Sequence, residues 1–290
     1  MTLPVTPNAI SLSQVNTEMN RASDTQISLN QDYCTALSGQ TGPYDMNTLH
    51  GKARSSGTTT ITTGSGSFTV PLGVVALTIS ITGGKGGRGG TDVHAGQIGW
   101  AGDTVAGTIA VSYGQVYSYW CGGNGGNGVN GANAAGGAAG VSTSPVASGS
   151  VNFSGGRGGN SGTYPSSNSG SGGGGGGASG LYLGTTPIAI AGGGGGGAGA
   201  GSSGGVRGQS GLYTTTTVGG AGKAPVNADF GGDGAGGGGY PLGGLGGTYQ
   251  AQDYDGQPGT SGKTLAPVGC TDTAGLNAVT TYTACVSLSW

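Results

Sequence analysis

The sequence predicts a mainly β and irregular fold, in which a small antiparallel β section joins a bundle of polyglycine-II helices behind a small N-terminal repeat module. Three observations carry this prediction. Glycine supplies 73 of 290 residues, a quarter of the chain against about 7% in an average protein. Much of that glycine is phased, with a polar residue at every third position. The segments flanking the glycine alternate apolar and polar residues with period two, the mark of half-buried strands.

Residues 1–55 are not glycine-rich and carry a 17-residue repeat. Ile10-Ser11-Leu12-Ser13-Gln14-Val15-Asn16 recurs as Ile27-Ser28-Leu29-Asn30-Gln31-Asp32-Tyr33, and more weakly as Tyr44-Asp45-Met46-Asn47-Thr48-Leu49-His50. Each copy reads as an extended piece entering a Ser or Asn able to cap one helical turn. A unit this short cannot bury its own apolar face, so the copies must stack on one another or on a partner. The favoured reading is a docking module with Leu12, Val15, Leu29, Tyr33, Met46 and Leu49 as its contact residues; a self-contained cap is the alternative.

Residues 56–121 read as strands, completed by 279–290. Thr58–Thr63 turns through Gly64-Ser65-Gly66 into Ser67–Val70. Val75, Leu77, Ile79 and Ile81 alternate with Ala76, Thr78, Ser80 and Thr82. Thr104–Tyr113 and Val116–Cys121 repeat the pattern about Gly114-Gln115. Tyr282, Ala284, Val286, Leu288 and Trp290 alternate again, so the last strand is expected to return to this sheet. Cys270 and Cys285 could bridge a C-terminal loop, although a reducing compartment favours free thiols.

Residues 122–278 form the expected bundle. Asn occupies 124, 127, 130 and 133 in a glycine background, and 83–90, 155–160 and 243–248 share the phase. Three residues per turn and about 3.1 Å rise describe the polyproline-II-type helix. Such a helix has no internal hydrogen bonds, so buried N–H and C=O groups must pair laterally. Collagen wants one glycine per triplet and abundant proline, whereas this chain has two per triplet and 11 prolines. Gly172–Gly177 and Gly192–Gly197 lack side chains on every face and belong inside the bundle. The loops between runs are rich in Tyr, Thr, Asn and Asp, and loop tyrosines supply contact area at low entropic cost. Loops 141–153, 181–190, 224–230 and 248–260 are expected to share a far tip. The binding candidates are Tyr164, Tyr182, Tyr213, Phe230, Tyr249, Asp253, Tyr254 and Asp255.

Composition excludes several classes. Nine Lys and Arg against eleven Asp and Glu give no basic footprint for nucleic acid. No apolar run is long enough to span a membrane, and no basic residue precedes an apolar stretch at the N-terminus as a secretory leader requires. Cysteine spacing supports no metal site. The phosphate-loop-like Ser261-Gly262-Lys263-Thr264 has Gln257 where glycine is required. No constellation supports catalysis or a cofactor, so an enzyme is not expected.

Several stretches resemble a known family. Phe68-Thr69-Val70-Pro71-Leu72-Gly73-Val74-Val75-Ala76-Leu77-Thr78-Ile79 leading into Gly83-Gly84-Lys85-Gly86-Gly87 resembles the glycine-rich domains of tailed-phage tail fibres. So do Pro187-Ile188-Ala189-Ile190-Ala191 before Gly192–Gly197 and the closing Cys285-Val286-Ser287-Leu288-Ser289-Trp290. The 17-residue repeat, ending Leu49-His50-Gly51-Lys52, is similar to an N-terminal module of phage tail-associated proteins. The alternation of glycine runs and loops resembles the polyglycine-II adhesins at the long-tail-fibre tips of T-even-like phages, from which this chain departs by carrying its own repeat and β section. The resemblance implies a virion tail protein, assembled in the host cytoplasm. It would dock on other tail proteins, as a trimer or a single chain, and bind a bacterial surface protein or glycan. A structural tail-tip component without a receptor is the alternative. An ice-binding protein is a further one, which would require a regular flat face.

Overall fold

The computed structural model describes residues 2–5, 8–28, 32–40, 45–92, 94–145, 151–162, 169–201, 216–224, 231–247, 259–275 and 285–290. Regular structure among them is mainly antiparallel β. Two helices, α1 (Leu12–Glu18) and α2 (Asp32–Ser38), and a 3-10 turn (Met46–Leu49) precede the strands.

The repeat residues build the first elements as their caps dictate. The Ser11 hydroxyl accepts from the Gln14 N–H while the Gln14 side chain accepts from the Ser11 N–H at 2.8 Å, a capping box that starts α1. Asp45 caps the 3-10 turn through the Thr48 N–H at 3.0 Å. Leu3, Val15, Met19, Cys34, Leu37 and Leu49 close on one another, with Ile10, Ile27, Tyr33, Met46 and Leu72 at the margin. Asn20 Nδ2 donates to the Gly73 carbonyl at 2.6 Å and the Arg54 N–H donates to Glu18 Oε1 at 3.1 Å, tying this cluster to the strands that follow.

Strands β1 (Thr58–Ile61), β3 (Ala76–Thr82), β4 (Thr104–Ala110), β8 (Cys270–Thr273) and β9 (Cys285–Ser289) form a five-stranded sheet in the order β1-β9-β3-β4-β8. Strands β2 (Ser65–Thr69), β5 (Val116–Trp120), β6 (Ser179–Leu183) and β7 (Thr186–Ala191) form a second sheet in that order. The sheets share one core. Leu77, Ile79, Ile81, Val105, Val286 and Leu288 from the first meet Phe68, Tyr117, Leu181, Ala189 and Ala191 from the second. The period-two alternation of β3 is what turns its branched side chains onto that core. β9 inserts between β1 and β3, with Ile81 opposite Val286, so the chain's last strand returns to this sheet.

Several expectations change here. Gly64 and Gly114 do turn the chain, with φ of 77° and 79°, whereas Gly66 lies within β2 opposite Tyr119. Each turn, however, carries the chain from one sheet to the other: β1 pairs with β9, β2 with β5 and β4 with β3 and β8. Burying both faces of the core requires this crossing, which local pattern cannot reveal. Residues 181–190 are not a tip loop but the β6–β7 hairpin, and β8 also falls within the segment expected to be bundle. A Cys270–Cys285 bridge does not fit, because β3 and β4 lie between β8 and β9. Three strand spacings are about 14 Å, beyond the roughly 7 Å limit between bridged Cα atoms. Cys270 is a free thiol.

The glycine-rich segments lie outside these ladders and bond to one another sideways. Segment 170–178 shows the rule. Its successive N–H groups donate in rotation to three neighbours: Gly170, Gly173 and Gly176 to Ala200, Gly197 and Gly194; Ser171, Gly174 and Gly177 to Val129, Gly126 and Gly123; Gly172, Gly175 and Ala178 to Gly159, Gly156 and Phe153. Its carbonyls accept from three more: Gly84, Gly87 and Gly90; Gly137 and Gly140; and Gly232, Ala235 and Gly238. Each partner series advances by three residues, and 170–178 is enclosed by six segments. Segment 231–239 bonds in the same manner to segments around 156, 173, 196, 220, 245 and 260. Glycine is obligatory here because a methyl on Gly174 would overlap the Ala138 carbonyl, and one on Gly176 the Gly84 carbonyl.

Candidate functional site

The bonding pattern aligns the described glycine-rich segments along one axis. Segment 83–91 leaves the sandwich at Thr82 and 97–103 returns to Thr104; 122–130 leaves β5, 169–178 returns to β6, and 192–201 leaves β7. Antiparallel partners place Thr91, Asp92, residues 94–96 and 131–134, Gly162, Ser169 and Gly201 together at the end away from the sandwich. Ala224, Gly231, Gly247 and Gly259 lead to or from that end as well, through the pairs Asp233–Lys223, Gly247–Gly234 and Gly259–Gly196. The N-terminal apolar cluster packs on Leu72, before β3, at the opposite end. The molecule is therefore polar, with the cluster at one end and the glycine segments' turns at the other.

The described part of the far surface carries hydroxyls, amides, the Asp92 carboxylate and the His94 imidazole. Thr91 and Asn130 clasp each other, the Thr91 N–H donating to Asn130 Oδ1 and Asn130 Nδ2 to Thr91 Oγ1, both at 2.7 Å. The Asp92 N–H donates to the His94 carbonyl at 2.9 Å. Ser161 Oγ donates to the Gly131 carbonyl, and the Ala134 N–H to Ser161 Oγ at 2.7 Å. His94, Asn130, Ala132 and Asn133 are exposed. This arrangement offers hydrogen-bond donors and acceptors on a fixed frame. No group of three or more His, Cys, Asp or Glu able to hold a metal occurs among the described residues.

Of the binding candidates, Tyr164, Tyr213, Phe230, Tyr249, Asp253, Tyr254 and Asp255 lie outside the described residues. The segments bracketing Tyr164, Phe230, Tyr249 and 253–255 end at the far surface; those bracketing Tyr213 end at Gly201 there and at Thr216, next to Thr217, whose Oγ1 donates to the Asn152 carbonyl near the sandwich. Tyr182 is a correction. It is 4% exposed in β6, with its ring 5.4 Å from that of Trp120, and burial, with Tyr240 adding to it, pushes its phenol pKa up. Side chains alternate along a strand, so Tyr182 lies on the face of β6 opposite Leu181, in a second apolar cluster with Trp120, Phe153, Ala178 and Ile190. The 141–153 stretch is also corrected, since Phe153 packs on Trp120 at the sandwich end.

The docking candidates divide similarly. Leu12 is exposed at 43%, whereas Val15 and Leu49 are fully buried among the cluster's own side chains. Val15 and Leu49 are thus core residues, because three short elements stacked together do fill one small core. Met46 and Tyr33 sit at its margin, the Arg21 guanidinium 4.2 Å over the Tyr33 ring. Leu29 lies outside the described residues.

Two supporting features escaped the sequence reading. Trp120 joins sandwich to glycine segments: its ring stacks on Phe153 at 5.4 Å, and its Nε1 donates to Ser142 Oγ at 3.1 Å and the Ala178 carbonyl at 3.0 Å. The signal was a Trp and a Phe stranded at the margins of glycine runs. Asp103 Oδ2 accepts from Thr264 Oγ1 at 2.6 Å and Oδ1 from the Gly275 N–H at 3.0 Å, fastening the return segments. Burial raises the Asp103 pKa, the two hydrogen bonds oppose that, and nearby Asp272 adds to it. The chain matches no protein-family model and no curated protein.

Proposed function

We propose that this chain is a phage tail receptor-binding protein, in which a polyglycine-II bundle holds loops toward a bacterial surface receptor. The observation that carries the reading is the three-residue step of lateral bonding around 170–178, with six neighbours. That step matches the turn of a threefold extended helix, about 9 Å along the axis at 3.1 Å per residue. Such a bundle is stiff, because each segment's polar backbone is satisfied by its neighbours. Rigid frames that carry loops are the usual way to position binding groups.

Polarity adds to the case. The N-terminal repeat module is the docking end, and Leu12 on its exposed face is the residue to contact other tail proteins. The far loops, with Tyr164, Phe230, Tyr249, Asp253, Tyr254 and Asp255, meet the receptor. The tail of the virion is where such a molecule acts. A protein or glycan receptor suits a surface of Tyr, amides and hydroxyls, and neither catalysis nor a cofactor enters the proposal.

The test is competition. Purified full-length protein should bind susceptible cells and block phage adsorption, and the double variant Tyr249→Ala/Tyr254→Ala should lose most of that block while keeping the wild-type melting temperature. A purified, folded protein that never competes for cells would leave the structural tail-component reading in its place.

A further inference from the structure

One edge of the glycine lattice is finished unlike its interior. Segments 83–91 and 122–130 run parallel there. Gly125 and Gly128 donate to the Lys85 and Arg88 carbonyls at 2.8 and 2.7 Å. The return bonds are made by side chains: the N–H groups of Lys85, Arg88 and Thr91 donate to Oδ1 of Asn124, Asn127 and Asn130 at 3.0, 2.9 and 2.7 Å. Every other N–H from Gly83 to Gly90 reaches a backbone carbonyl, at Asp103, Trp100 and Gln97 on one side and Gly177, Gly174 and Ser171 on another. The three asparagines are exposed.

Two physical consequences follow. The amides of 85, 88 and 91 are those the lattice's own backbone leaves over, and an extended backbone with open N–H groups in register is a template for another chain. A side chain also blocks growth by itself, since packed faces leave no room for a Cβ; one on Gly84 or Gly87 would overlap the carbonyl of Gly123 or Gly126. We propose that Asn124, Asn127 and Asn130 form an edge seal, which occupies the left-over amides and keeps a second copy of this chain from extending the lattice. The proposal rests on the polyglycine-II reading above.

The test compares full-length wild type, N124G/N127G/N130G and N124D/N127D/N130D by light-scattering mass over a concentration series, with amide exchange read on the same samples. The glycine variant, with neither acceptors nor side chains, should form larger assemblies as concentration rises. In dilute solution its amides at 85, 88 and 91 should exchange roughly tenfold faster. The aspartate variant keeps acceptor and bulk and should match wild type in mass. A glycine variant whose 170–178 amides stay protected while its mass equals wild type overturns the seal. Should the triple variant fail to fold, Asn127→Gly alone must still speed exchange at Arg88 and promote association, and no change in either overturns the proposal. Wild-type protein lacking protection across 170–178 would instead sink the bundle reading beneath it.

Discussion

Gly174→Ala probes the centre of the lattice. The added methyl would overlap the Ala138 carbonyl and press on that of Gly137, 2.9 Å away. Segment 135–141 must retreat, which breaks the bonds from Gly137 to Gly172 and from Gly140 to Gly175, both 2.8 Å. These groups are buried, and each buried bond left unmade costs about 1–3 kcal/mol, hence about 2–6 together. The substitution also restricts the unfolded chain, which returns about 0.4–1 kcal/mol. The net expectation is a loss of about 1–5 kcal/mol, or a melting temperature lower by about 2–20 °C for a chain of this size. Gly123→Ala is the control, because its nearest neighbours lie at 3.1 and 3.2 Å, and it should cost under about 1 kcal/mol. Calorimetry of both variants checks this. Equal stability for Gly174→Ala and wild type would refute the close-packed lattice.

Other outcomes follow from the same contacts. Trp120→Phe should lose about 1–2 kcal/mol, since the Nε1 bonds go while Ser142 Oγ still donates to the Ala178 carbonyl, and Trp120→Ala about 3–5; urea unfolding measures both. Leu12→Asp should leave stability within about 0.5 kcal/mol, whereas Leu49→Asp should unfold the N-terminal cluster, as seen in its amide exchange. The raised carboxyls of Asp103 and Asp272 mean the folded state binds more protons than the unfolded one, so stability should fall as pH rises from about 4, the unfolded value, through the folded values. Asp103→Asn should flatten that slope in urea titrations between pH 4 and 7. Reductant should not lower the melting temperature, because Cys270 is a free thiol.

Legibility varied with what side chains could encode. The alternation at Val75–Thr82 and at the C-terminus was readable because one face of each strand is buried, as β3 and β9 show. The Asn phase at 124, 127 and 130 was readable for a similar reason: those side chains step by three residues along one neighbour, accepting from the N–H groups of 85, 88 and 91. The β6–β7 hairpin was not, although Leu181 and Leu183 pair with Ala189 and Thr186 about the Gly184 turn; its threonines and tyrosine imitate a binding loop. The partner of each glycine run was also illegible, since a run without side chains carries no register, and the offset of 39 residues between 85 and 124 is set by the fold alone. At the site, Thr91, His94 and Ser161 were not named as binding residues, because short polar turns have no periodicity.

Residue-resolved amide exchange on the intact protein tests the lattice most directly. Gly170–Ala178 should rank with β3 among the slowest-exchanging amides of the chain, despite having no ladder or helix of their own. Exchange there at the rate of an open peptide, with β3 still protected, would contradict the account and remove the frame on which the proposed receptor-binding role depends.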